Sequence, residues 1–540
     1  MSHESQVTTG KHLLAVLAIS LLIAGYLIAA ALGLPQQATR MIVGEGHHDA
    51  QHPDAEHQQP AAGDLDPTGP VEEPAQPPHE VMVPPGSWTV LPFVLLLGAI
   101  AILPLVPAAS HWWEHNRNRL LVAVALGAIT LLYYLLLHQH PIHRHFLGHG
   151  LVAPSAGGAS IDLAWTVFQN AIFGEYIPFI ILLFSLYTIS GGCRISGDLP
   201  AHPLTNTAFL AVGGLAASFV GTTGAAMLLI RPLLETNSER KYVAHTAVFF
   251  IFIVCNCGGC LLPIGDPPLF LGYLAGVDFL WTLKLWPEWL TVNLALLAIY
   301  FVWDYAYAYR REAASDIRRD EATRIALRFE GLWLNGLLLL GVILSVAILD
   351  PSKAVPGTAW HPWLYLREAV QLLLVAISLT VGSSHVRAAN RFNFLAIGEV
   401  AALFLGIFIC MQPALQILAV RGPTLGIESP AQFFWATGAL SSVLDNAPTY
   451  LVFFQTAETL AAGDQSTMAG VTELRLAAIS LGAVFMGAMT YIGNGPNFMV
   501  KAIAESAGVK MPGFFGYMAY SCAILLPLFV VVTLLFFLGS

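Results

Sequence analysis

Apolar residues run along this chain in long unbroken blocks, not in alternation. The blocks fall near 12–33, 88–108, 119–137, 169–190, 244–275, 283–303, 332–349, 363–382, 394–419, 474–503 and 514–538. Runs of about 20 apolar residues predict membrane-spanning helices, because a helix satisfies its own backbone donors and acceptors in hydrocarbon. A transmembrane barrel would alternate with period two instead. Two further stretches, 205–235 and 427–460, are apolar but interrupted midway by Gly, Pro, Thr or Asn. They predict re-entrant hairpins that enter and leave on one side. The expected fold is an all-α polytopic membrane protein, with 11 transmembrane helices (the blocks above) and two re-entrant hairpins.

The pattern repeats. "GEYIPFIILLF" from Gly174 matches "GEVAALFLGIF" from Gly398, and "ASFVGTTGAAML" from Ala217 matches "SSVLDNAPTYLV" from Ser441, both at an offset of 224. "PIGDPPLF" from Pro263 and "YIGNGPNF" from Tyr491 follow at 228, and "AGV" at Ala275 and Ala507 follows at 232. Their common order predicts a duplication. Each half holds five spans and one hairpin, and an odd span number inverts the second copy. Inverted repeats with broken helices at matching positions point to a secondary transporter with a midplane site. The expected organisation is a signal-anchor helix at 1–34, a disordered acidic His/Pro-rich loop at 35–87, a first inverted repeat at 88–303, a basic cytoplasmic linker at 304–331 and a second inverted repeat at 332–540. The apolar run after Lys11 is long for a signal peptide, so it reads as an uncleaved anchor.

Composition agrees with the pattern. The 540 residues are 56% hydrophobic and 11% charged, with mean hydropathy +0.66, whereas soluble domains carry about 25% charged residues. The net charge of −10 is mostly local: nine acidic residues and no Lys or Arg fall within 41–87. With the N-terminus in the cytoplasm, 17 Lys and Arg fall on the inner side and 7 on the outer. This satisfies the positive-inside rule and places the protein in the inner (plasma) membrane, C-terminus outside. The six cysteines form no disulfide framework. "CNCGGC" (255–260) has metal-like spacing, but small residues that permit close helix packing explain it as well. The His cluster His138, His140, His143, His145 and His149, with His47, His48, His52, His57 and His79, lies on the outer side. It reads as a solvated loop, with a metal trap or pH sensor as the alternative.

The chemistry lies in four polar breaks: "GTTG" (221–224), "IGDPP" (264–268), "DNAP" (445–448) and "GNGPN" (493–497). Pro and Gly interrupt a helix and free carbonyls and amides, which need partners in lipid. The breaks are therefore expected to face one another around a wet cavity. Asp266 and Asp445 are the two carboxylates in them, and intramembrane carboxylates are functional candidates by default. With Thr222, Thr223, Asn446, Asn494, Asn497 and the backbone at Gly265 and Gly493, they offer the oxygen ligands that a hard cation such as sodium takes. A buried carboxylate also holds a proton more firmly, so protons and metal ion can compete for one site. Bland roles stand beside these. Asp445 can cap a helix, Asp266 before proline can form a turn, and the threonines and asparagines can satisfy backbone. Glu175 and Glu399, at matching repeat positions, are capping or interface residues or a proton relay. Lys501 either snorkels to the interface or compensates a buried carboxylate. There is no GxxxxGK[ST] and no catalytic triad or paired-glutamate arrangement, so neither ATP drive nor an enzyme is indicated. No cofactor is expected beyond the transported sodium and protons, and no nucleic-acid partner.

"SSVLDNAPT", "PIGDPP" and "GNGPN" resemble the motifs of the ion transporter superfamily, over residues 88 to 538. They are most similar to the NhaD-type sodium/proton antiporters, their arsenite-permease relatives and a branch labelled sodium:proton antiporter or citrate transporter. The resemblance implies an elevator-type transporter and a homodimer. It places the hairpin tips at Thr222–Thr223 and Asp445–Asn446 and the unwound loops at 265–268 and 493–497. Dicarboxylate carriers of the superfamily have Ser-Asn-Thr at both tips, and this chain does not. The expected function is sodium/proton antiport, with sodium- or proton-coupled symport of citrate or another di- or tricarboxylate as the alternative.

Overall fold

Proline and glycine decide where the helices of this protein stop. The computed structural model describes residues 3–49, 83–148, 150–155, 158–322, 324–460 and 467–538, and these are mainly helical. Six helices are long and apolar enough to cross a membrane: His12–Ala31, Asn116–Leu136, Ile161–Ser190, Pro203–Val220, Trp281–Arg311 and Phe514–Phe537. The number rises to eight if two bent pairs, Ser87–Ile102 with Pro107–Trp113 and Leu395–Cys410 with Gln412–Leu425, each count as one span. The 11 apolar blocks therefore do not all become uninterrupted helices. Blocks 244–275 and 474–503 each split into two short helices, and Leu332–Ile348 and Leu366–Val381 are each under 18 residues.

Both interrupted stretches fold into helical hairpins. Pro203–Val220 and Thr222–Thr236 join at Gly221, whose φ of +78° is a conformation that glycine adopts without steric cost. Their antiparallel packing shows at the base, where the Asn206 and Asn237 amides donate to each other at 2.8 Å. Pro430–Ser441 and Asn446–Leu460 form the second hairpin, and the Phe433 and Phe453 rings meet across it at 6.5 Å.

Two broken helices form the centre. Ala244–Ile253 is buried on every face. It gives way to a tight turn at Cys257–Cys260 before the chain resumes as Pro267–Leu274. Glu473–Met486 is buried along most of its length, breaks at Gly487–Met489 and resumes as Gly495–Ser506. A helix apolar all round belongs in the interior, and here it gives the breaks a water-poor setting. The cysteines of "CNCGGC" are buried and free, and the glycines between them allow close approach. A Cβ on Gly258 would lie 2.4 Å from the Gly214 carbonyl oxygen and 2.6 Å from its Cα. Gly258→Ala must force the first hairpin off the broken helix. We expect a loss of about 1–3 kcal/mol, read as a lower melting temperature in detergent.

Two expected loops are partly ordered. The acidic segment 35–87 begins as the helix Leu34–Asp49. Its Thr39 hydroxyl donates to the Pro362 carbonyl at 3.1 Å and accepts from the Leu364 amide at 2.9 Å, so a tertiary anchor overrides the polar composition. Residues 50–82 of that segment, with His52, His57 and His79, lie outside the described residues, as does His149. The linker 304–331 carries the helix Ala314–Ala322 and the strand Ile325–Glu330. The strand pairs antiparallel with Arg194–Asp198, setting Arg194 opposite Glu330. At the other end, His138 packs on Tyr133 and Tyr134. Burial pushes its pKa down to about 4, so this imidazole stays neutral near physiological pH.

Candidate functional site

Four helices begin at one place. Thr222–Thr236 and Asn446–Leu460 start at the hairpin tips, and Pro267–Leu274 and Gly495–Ser506 start just past the breaks. Asp266 and Asn494 hold nearly the same extended backbone, φ −141° and ψ 142° against φ −152° and ψ 139°, each immediately before a helix whose first turn carries proline. Proline suits that turn because its φ is preset and its missing N–H needs no partner. The two breaks therefore use one local solution, with a carboxylate at one cap and an amide at the other.

Asp266 is the centre. It is 1% exposed. Its Oδ1 accepts from Thr222 Oγ1 at 3.1 Å and Asn494 Nδ2 at 3.3 Å, and its Oδ2 accepts from Asn446 Nδ2 at 2.8 Å. One carboxylate thus joins both hairpin tips to both breaks. The Thr222 backbone N–H also donates to the Gly265 carbonyl at 2.9 Å. Among the described residues no Lys, Arg or His forms an ion pair with Asp266; the three side chains that hold it are neutral.

Asn256 surrounds this group with a second layer of amides. Its Nδ2 donates to Asn497 Oδ1 at 2.8 Å, and its Oδ1 accepts from Asn494 Nδ2 at 3.2 Å. Asn497 in turn donates to the carbonyls of Gly487 and Thr490. Gly265 and Gly493 are needed for contact: a Cβ would come within 2.2 Å of the Gly259 oxygen at the first and 2.6 Å of the Gly487 oxygen at the second. Asn256 and Thr490 escaped the sequence reading. Asn256 was visible as the polar residue inside "CNCGGC", where the cysteines drew the attention.

The other expected residues divide. Asp445 is half-buried and within electrostatic range of Asp266. Its own bonds are those of a cap: Oδ1 accepts from the Ala447 N–H at 3.2 Å, and its carbonyl accepts from Thr449 Oγ1 at 3.0 Å. We expect Asp445→Ala to cost about 1 kcal/mol of stability, and Asp445→Asn, which keeps the cap, to cost less; paired thermal melts decide this. Thr223 is half-buried and is not a partner of Asp266. Glu399 forms an ion pair with Arg119 at 2.8 Å, and Glu175 faces Gln412; neither reaches Asp266. Lys501 pairs with Glu505 at 3.4 Å and lies over the Tyr491 ring, so it does not compensate the buried carboxylate.

Chemically, Asp266 is an ionisable carboxyl group in a water-poor interior, held by neutral donors. Beside it the Asn446 side chain is fully buried, and its Oδ1 has no hydrogen-bond partner among the described residues. A carboxylate and an unpartnered amide oxygen are the ligand types that a hard cation takes. The converging helix N-termini add positive potential, which favours anionic groups. A family model described as "Putative citrate transport" matches residues 83–537. No curated protein matches the sequence.

Proposed function

Since this chain belongs to the citrate transport family and is a multi-pass membrane transporter, we propose that it exchanges sodium for protons at Asp266. The observation that carries this reading is a buried carboxylate held, among the described residues, by the neutral side chains of Thr222, Asn446 and Asn494, beside an amide oxygen with no partner among them. Sodium binds there with Asp266 ionised, and a proton displaces it. Asn446 Oδ1 supplies a neutral ligand, and Asp445 adds charge nearby while capping its helix. Two hairpins and two broken helices in the same order in each half support the inverted-repeat reading. The concentration of Lys and Arg on one side supports a cytoplasmic N-terminus in the plasma membrane. Elevator-like movement and a homodimer are part of the same proposal, from the resemblance.

A second reading is favoured by the family description and by the four helix N-termini: sodium- or proton-coupled import of citrate. Proteoliposome flux separates the two. Under exchange, an inward sodium gradient drives protons out of vesicles with no citrate present. Under symport, sodium alone moves no protons and labelled citrate accumulates.

A further inference from the structure

A large cavity in this protein lies away from Asp266. It encloses about 1280 Å³ and sits at the opposite ends of two helices that begin at the site. Residues 231–238 of the first hairpin and 503–510 beyond the second break both line it. The nearest lining residues, Arg231 and Ile503, stand nine and eight residues along these helices from Thr222 and Gly495, which separates cavity and site by at least about 12–14 Å at 1.5 Å per residue.

The lining is strongly basic. Arg231, Lys241, Arg311, Arg391 and Lys510 reach it, along with Arg240, whose charge is already matched by Asp304 and Glu312. Glu235 is the one carboxylate among the described lining residues, and it lies beside Arg231. None of Arg231, Lys241, Arg391 and Lys510 forms an ion pair among the described residues. Arg391 and Arg194 both lie within electrostatic range of Arg231, so like charges crowd one wall. A concave, partly apolar wall lined by one sign of charge focuses the field and concentrates counter-ions. Guanidinium forks in particular match carboxylates in pairs.

We propose that this cavity binds a small polycarboxylate of citrate's class, as a second site separate from Asp266 and independent of sodium. The inference goes beyond the exchange reading and does not need it. Under exchange the bound anion is an effector on the basic face. Under symport it is cargo held one helix length from the central site.

Trp303 lines the cavity and reports on it. Citrate is titrated into the full-length protein in neutral-lipid nanodiscs, and the fluorescence response of Trp303→Phe is subtracted. We expect a saturable response without sodium, retained in Asp266→Asn and weakened about tenfold in Arg231→Gln/Arg391→Gln, the size of change expected for two partly exposed charges. Lys241→Gln/Lys510→Gln is expected to weaken it in the same direction, and added salt to weaken it in the wild type. No response, a response lost in Asp266→Asn, or one unchanged in both double variants overturns the proposal. So does acetate or orthophosphate binding as tightly as citrate, or a response abolished by phosphatidylglycerol in the disc. Citrate-free sodium/proton exchange is assayed separately, so its failure leaves this site standing and its success does not rescue it.

Discussion

Asp266→Asn is expected to abolish sodium-driven proton movement and to leave a folded protein. The substitution keeps size and shape but removes the ionisable group that joins both hairpin tips to both breaks. The new amide turns a donor toward Thr222, Asn446 or Asn494, so at least one bond is lost at about 1–3 kcal/mol. Flux is expected to fall to the level of empty vesicles, while the melting temperature moves by no more than that energy implies. Glu399→Gln serves as the comparison. Its carboxylate pairs with Arg119 away from the site, and it is expected to retain flux. Equal losses in both variants would mean that carboxylates matter here only for folding.

Arg240→Ala produces the largest expected loss of stability. Arg240 is 8% exposed and binds Asp304 through both terminal nitrogens, with Glu312 at 3.6 Å from Nε. Asp304 is fully buried and also takes His245 Nε2 at 3.0 Å, and Glu312 accepts from the backbone N–H groups of Lys241 and Tyr242. The cluster clamps the base of the first hairpin to the start of the linker. Removing the guanidinium leaves two buried carboxylates short of a counter-charge, a change that costs about 3–5 kcal/mol. Asp304→Asn is expected to cost less, because His245 and Arg240 keep a neutral partner. The double variant is expected to lose less than the two single losses added together, since neighbours in one network are not additive. Thermal or denaturant unfolding of the detergent-solubilised variants measures all three.

The helices were legible in the sequence because apolar blocks and Pro/Gly breaks carry the relevant physics locally. The hairpins turn at the polar interruptions, at Gly221 just before Thr222–Thr223 and just before Asn446, whereas the breaks lie mostly upstream of "IGDPP" and "GNGPN", between Ile253 and Pro267 and between Met486 and Gly495, so that those motifs open the helices that follow. What sequence order did not carry was the division of labour between Asp266 and Asp445. Both are buried-looking carboxylates beside proline or asparagine, and only tertiary packing decides which one faces three neutral donors. Asn256 was hidden for a similar reason: its partners, Asn494 and Asn497, are more than 200 positions away. The short strand Ile325–Glu330 is not legible in the sequence because it is brief and its partner, Arg194–Asp198, lies more than 120 positions upstream. The helix Leu34–Asp49 was missed because its anchor, Thr39 on the 362–364 segment, is tertiary. The cysteines of "CNCGGC" are buried, and the glycines beside them allow the close helix approach that their small size suggested.

Sodium binding to the purified protein as pH is varied tests the central claim most directly. With Asp266 as the shared ligand, radiolabelled sodium binds saturably at alkaline pH, is displaced as protons are added, and does not bind Asp266→Asn at any pH. Sodium binding that persists in Asp266→Asn, or that is indifferent to pH in the wild type, would contradict a single carboxylate trading one ion for the other.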